Sequence, residues 1–292
     1  MSRIPTCNCV GCNAIGTVAR EMPNRGGRMA WLCDYHANRL MSYSTENHNR
    51  IGNKKCHGGT FSVELETSYS DSQARAELLN AGFIPTSDCT VDVEYKSSIY
   101  EGLNALSKQC LTIDKLVNEY RLEMGDECGT HFHYGHRDYI NPMTMNWIEE
   151  YYKDLFTPIN DLVLACNPEK VAEFFGRDLT DRTSLEGQSG GDDGYAQSID
   201  FDYPTAHKNW INIQHDWTVE FRVCKYRSAT QYMRLAKTIK TIGEALVTDF
   251  LKHYNDSKID GTRYHSIDDW RKHCAIKAGK KMARKLEKAM NE

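Results

Sequence analysis

The chain has 292 residues, 40% hydrophobic and 26% charged, with a formal net charge of −4. This is the composition of a soluble globular protein long enough to bury a good core. No apolar run approaches a membrane span, and "MSRIPTCNC" lacks a signal-peptide core, so a cytoplasmic protein with reduced thiols is expected from its eleven cysteines.

The net charge hides a segregation. Residues 1–60 carry eight Lys and Arg against three Asp and Glu, and the tail from Lys252 carries eleven against six. The middle holds 17 against 31, or −14, which suits divalent cations better than bare nucleic acid. The basic ends could touch nucleic acid, but a solvated surface explains them as well.

Residues 1–57 read as a small zinc-binding module. Cys9-Val-Gly-Cys12 and Cys33-Asp-Tyr-His36 are two chelating turns at a spacing that suits a closed tetrahedral site. Cys7, Cys56 and His57 lie close enough to be alternative ligands. With few apolar residues, this segment needs a structural Zn²⁺ to order itself. The main domain spans 58–254, and 255–292 is a basic helical extension.

Elements follow in order. "CHGGTFSVELET" opens a strand after Gly58 and Gly59, and "SDSQARAELLNAGF" is a helix from Ser70 or Ser72 to Gly82. "CTVDVEY" is a second strand. Leu103, Leu106, Leu111, Ile113, Leu116 and Val117 recur at helical spacing between Tyr100 and Tyr120, with an interruption. The strand "CGTHFHYGH" follows, with His136 expected off its end in a loop. Asn141 and Pro142 start a helix in "NPMTMNWIEEYYKDLF", with further helical turns in "TPINDLVLAC" and "PEKVAEFF". Residues 176–200, rich in glycine and without apolar period, read as a long functional loop. "WINIQ" and "TVEFRV" are strands. A long helix runs from Ala229 to Tyr254, and a last one packs on the domain through Trp270, Cys274, Ala278, Met282 and Leu286. The order favours an α+β fold, with a mostly antiparallel curved sheet and helices on one face.

Side-chain alternation gives the strands two faces. Phe61, Val63, Leu65, Val91, Val93, Tyr95, Phe132, Tyr134, Val219, Phe221 and Val223 share one. Opposite them stand Glu64, Glu66, Asp92, Glu94, His131, His133, Glu220 and Arg222, with Asn212 and Gln214 in "WINIQ" and no lysine among them. The bland reading is the solvent face of a half-buried sheet. Yet three acidic strands side by side repel unless cations bridge them. Carboxylates with an imidazole hold Mg²⁺ or Mn²⁺, and Arg222 offers a fork for phosphate.

The order "VELE", "DVEYKSS", "CGTHFH", "NIQHDWTVEFRV" and then a helix resembles the amidoligases, carboxylate–amine ligases with a glutamine-synthetase-like catalytic domain, often phage-encoded. The similarity covers roughly residues 58–254. It implies use of ATP and Mg²⁺ to form an amide through an acyl phosphate; a peptide, a cell-wall fragment or a protein terminus would suit the long glycine-rich loop. By resemblance, Glu64, Glu66, His131 and Glu220 are magnesium ligands and Glu94 is an acidic residue of the nucleotide site. His133 faces nucleotide or substrate, Arg222 contacts phosphate or the transition state, Arg177 is the catalytic arginine that precedes the variable loop, and Asn212 precedes the E-x-R strand. Ser62 stands where the family has glycine, and "EYKSS" lacks the family's proline.

Other readings have less behind them. A cupin needs a glutamate soon after the histidines, and "YGHRDYINP" has none. Cys128 lacks a nucleophile-elbow pattern. Cys110, Cys166, Cys224 and Cys274 sit at apolar positions and read as core. A non-catalytic zinc-containing binding or assembly protein on the same fold remains the alternative function.

Overall fold

Six antiparallel strands form the central sheet of the computed structural model, which describes residues 18–21, 29–33, 59–86, 93–97, 99, 103–125, 128–136, 138–176, 209–215, 217–254, 264 and 266–292. A separate hairpin joins β1 (Val18–Glu21) to β2 (Met29–Leu32). The sheet contains β3 (Gly59–Thr67), β5 (Phe83–Thr86), β6 (Val93–Ser97), β8 (Thr130–His136), β9 (Ile211–Asn212) and β10 (Val219–Cys224). Its order is β5-β6-β3-β8-β10-β9, and a small pair, β4 (Tyr69–Ser70) with β7 (Leu122–Glu123), lies apart from it. The chain is therefore mixed α and β with an antiparallel sheet, as expected.

Helices are α1 (Ser72–Asn80), α2 (Asn104–Asn118), α3 (Pro142–Glu150), α4 (Tyr152–Ala165), α5 (Pro168–Phe175), α6 (Ala229–Leu246) and α7 (Ile267–Asn291). Their starts follow from local chemistry. Asp71 accepts from Ala74 N–H at 2.7 Å, and Asn141 forms a capping box with Thr144. Asn167 caps α5, which ends at Gly176 in the left-handed region at φ 78°. Ser228 caps α6.

Register places Phe61 opposite Tyr134 and Val63 opposite Phe132, so the apolar side chains of adjacent strands share one face. Helix α6 covers that face. The rings of Phe132 and Tyr232 are 4.8 Å apart, and Phe61 lies 5.5 Å from Phe132. The close approach needs glycine. A Cβ on Gly243 of α6 would lie 2.2 Å from the Tyr134 ring, and one on Gly59 would lie 2.4 Å from its hydroxyl. Helix α7 lies against α4, where a Cβ on Gly279 would meet the Leu155 carbonyl at 2.6 Å. Its expected stripe is inward, with Cys274, Ala278, Met282 and Leu286 buried and Trp270 packed partly against the core.

Several expectations change. Helix α2 runs unbroken through Leu111, which is exposed; helical propagation tolerates a surface leucine without a break. The segment from Asn141 breaks at Tyr151, and α4 then continues through Pro158 inside the helix. The α-helix from Ala229 stops at Leu246 and continues as a π turn, Val247–Leu251. His136 is the last residue of β8, paired with Gly59 and buried against Tyr139, and burial pushes its imidazole pKa down. Cys166 is only half-buried, at the end of α4, whereas Cys110, Cys224 and Cys274 are in the core.

Candidate functional site

The second face of the sheet gathers the polar residues, and the pairing register sets their order. Glu64 lies between Lys96 and His131, Glu66 stands opposite Glu94, and His133 lies between Ser62 and Glu220. Asn212 stands opposite Glu220. On β10 the register slips between Phe221 and Cys224, a bulge that spans Arg222 and sets its position relative to β8.

This face is buried, which overturns the reading of it as a solvent face. Glu220 is 0% exposed, His131 2%, Glu66 3% and Glu94 6%. Ionised groups tolerate such burial only with partners. Glu220 has a full set: its Oε1 accepts from Arg222 at 2.9 Å and lies 3.2 Å from His131 Nδ1. Its Oε2 accepts from Asn212 Nδ2 at 2.8 Å and lies 3.1 Å from His215 Nε2. Glu66 accepts from the Gly129 N–H at 2.5 Å.

Glu64 is shared most widely. Its Oε1 receives the Lys96 ammonium at 2.6 Å and lies 3.4 Å from His133 Nε2, while its Oε2 lies 3.3 Å from His131 Nδ1. Lys96 also lies 3.3 Å from Glu94, whose carboxyl accepts from Thr86 Oγ1 at 2.8 Å. A lysine therefore does stand on this face. By alternation it follows Glu94 by two residues, and "DVEYKSS" carries it in plain sight.

The electrostatics follow. Burial opposes ionisation of Glu64, but His133, His131 and the Lys96 ammonium around it hold its pKa well below the usual range. Glu220 is also low, because hydrogen bonds from His131 and His215 outweigh its burial. Burial works against a charged His131, yet hydrogen bonds to Glu220 and Glu64 raise its pKa to about 10. Glu94 goes the other way: burial, then the charge of Glu64, pushes it up to about 7.

Two sets of ligand atoms converge. Those of Glu64, Glu94 and His131 lie within 4.8 Å of one another, as do those of Glu64, His133 and Glu220. The Nε2 atoms of both histidines are buried without a hydrogen-bond partner. His133 Nδ1 lies 3.3 Å from Thr218 Oγ1, a contact of the kind that orients histidines in metal sites. Carboxylate oxygens and bare imidazole nitrogens of this kind fit a divalent cation.

The structure thus brings together Glu64, Glu66, Glu94, His131, His133, Glu220, Arg222 and Asn212. Arg177 and the glycine-rich loop lie outside the described residues. So do Cys9, Cys12 and His36, with Cys7, Cys56 and His57; Cys33 follows β2 at the end of the hairpin. Sequence reasoning missed Lys96, Thr218 and His215. The last lies in the turn after β9, where no periodicity marks it, and its ring meets His133 edge-on at 5.3 Å. No helix among the described residues is long and apolar enough to cross a membrane. No protein-family model matches the chain, and no curated protein is similar to it.

Proposed function

We propose that the charged sheet face binds Mg²⁺ or Mn²⁺ together with ATP and joins a carboxylate to an amine. The observation behind this reading is the convergence of four carboxylates and two imidazoles, from β3, β6, β8 and β10, on one buried patch. The order of the same motifs along the chain, which resembles the amidoligases with their glutamine-synthetase-like domain, names the reaction.

Phosphoryl transfer asks the protein chiefly for position and for neutral charge. Glu64, Glu66, Glu220 and the histidines hold the cation, which neutralises phosphate oxygens when bound. Arg222 and Lys96 supply further positive charge beside it. A carboxylate oxygen of the first substrate attacks the γ-phosphorus of ATP and releases ADP. The amine nitrogen of the second then attacks the acyl carbon, expelling inorganic phosphate and losing a proton. Arg177 by resemblance precedes the variable loop, and a peptide or cell-wall fragment is a fitting substrate. Cys9, Cys12, Cys33 and His36 hold a structural Zn²⁺ in a module that lies before this domain, and the protein works in a cytoplasm.

Calorimetry with ATP and Mg²⁺ on the zinc-loaded chain tests the proposal beside a Glu64→Ala, Glu66→Ala double variant. Metal-dependent ATP binding is expected, and it should vanish in the variant. If ATP does not bind a folded chain, the ligase reading fails. One observation favours the alternative, a binding or assembly protein: Lys96, Arg222 and His131 already pair Glu64 and Glu220 internally. In that case the cluster holds the sheet together and ADP is never released.

A further inference from the structure

The two triads of ligand atoms share Glu64, and they are not equivalent. In the set of Glu64, Glu94 and His131, two of the three carry a partner that does a cation's work. The Lys96 ammonium lies 2.6 Å from Glu64 Oε1 and 3.3 Å from Glu94 Oε2, bridging both carboxylates. His131 Nδ1 meanwhile lies 3.3 Å from Glu64 and 3.2 Å from Glu220, so its N–H is directed at carboxylate oxygens. His131 Nε2, like that of His133, is buried without a hydrogen-bond partner and lies 3.5 Å from Glu66 Oε1, so it is the ammonium on the two carboxylates that closes this set.

The set of Glu64, His133 and Glu220 has no ammonium bridging its two carboxylates. In the tautomer that gives its Nδ1–H to Thr218 Oγ1, His133 presents an Nε2 lone pair 3.4 Å from Glu64 Oε1 and 3.9 Å from Glu220 Oε1. That nitrogen is buried without a hydrogen bond. Glu64 Oε1 there also takes the Lys96 ammonium and Glu220 Oε1 the Arg222 guanidinium, so what distinguishes this set is the buried imidazole nitrogen, a ligand that suits a divalent cation beside carboxylates.

We infer that this face holds one divalent cation, bound by Glu64, His133 and Glu220, and that the Lys96 ammonium takes the place of a second. The inference rests on the metal-binding reading above and deepens it. It also makes His133 a metal ligand, where the resemblance set it against nucleotide or substrate. Paired divalent ions sit about 4 Å apart when they share a carboxylate. Here the shared oxygen, Glu64 Oε1, is already committed to lysine on its β6 side. A side chain tethered to β6 cannot exchange with ions in solution, so the geometry of Glu64 is set before the metal arrives.

Titration of the full, zinc-loaded chain with Mn²⁺, reading free Mn²⁺ by electron paramagnetic resonance, tests it. One ion per wild-type chain is expected, two for Lys96→Met, and one for Lys96→Arg, which keeps the charge. Glu94→Ala added to Lys96→Met should return the count to one. Two ions in the wild type overturn the inference while leaving the metal reading intact. A single ion in a folded Lys96→Met chain also overturns it. Loss of all Mn²⁺ binding in the wild type removes the metal reading itself, and this inference with it.

Discussion

The two faces of the central sheet are built from alternate residues of the same strands, and both are buried. Phe61, Val63, Leu65, Phe132 and Tyr134 meet α6 on one side, while Glu64, Glu66, His131 and His133 crowd the other. The apolar face is held by shape. Each ring removed from water contributes area, and Gly243 and Gly59 leave Tyr134 the room it occupies. The charged face is held by balance. Every ionised group there would destabilise the sheet if its partner were lost. A period of two thus separates the face held by shape from the face held by charge, along one stretch of backbone.

The sharpest way to break the comparison is to damage each face in turn. Phe132→Ala should remove roughly 3–5 kcal/mol of stability through the cavity it leaves, measured by urea unfolding. It should still gain thermal stability on adding Mn²⁺, as the wild type does. Glu64→Ala should lose that Mn²⁺-dependent gain altogether. If both variants respond alike to metal, the faces are not separate in function.

The next effect is in pH. Glu94 is held up at about 7 by burial and by the charge of Glu64, so folding favours its protonated form. Stability therefore falls as pH rises from the ordinary carboxylate range toward 7, and levels off above it. Glu94→Gln should remove a decline on the order of 3 kcal/mol between about pH 5 and pH 8, read by urea unfolding at the two values.

Thr218→Val is smaller. It takes away the outer contact of His133 and should weaken Mn²⁺ binding about tenfold, while the melting curve without metal barely moves. The smallest change is spectroscopic. His131 stays protonated to about pH 10 without metal because Glu220 and Glu64 face it. A divalent cation on those carboxylates should lower that value, visible in the imidazole proton shifts of labelled histidine.

Much of this was legible because period-two alternation is a strong signal. Glu64, Glu66, His131, His133 and Glu220 were placed on one face from sequence, and the register joins them as expected. Burial of that face was not legible, since alternation separates two faces without saying what covers either. Lys96 obeys the same alternation but lay beyond the strand ending assigned at Tyr95. His215 and Thr218 flank a turn, where contact depends on tertiary geometry and not on spacing. Helix boundaries shifted at Tyr151 and Leu246 because packing overrode local propensity.

The central claim is that the charged face is a divalent-metal and nucleotide site. Anomalous diffraction from crystals grown with Mn²⁺ and a non-hydrolysable ATP analogue tests it most directly. The expected result is one anomalous peak between Glu64, His133 and Glu220, with the analogue's phosphates reaching it. No peak on this face, with the fold intact, would contradict the claim.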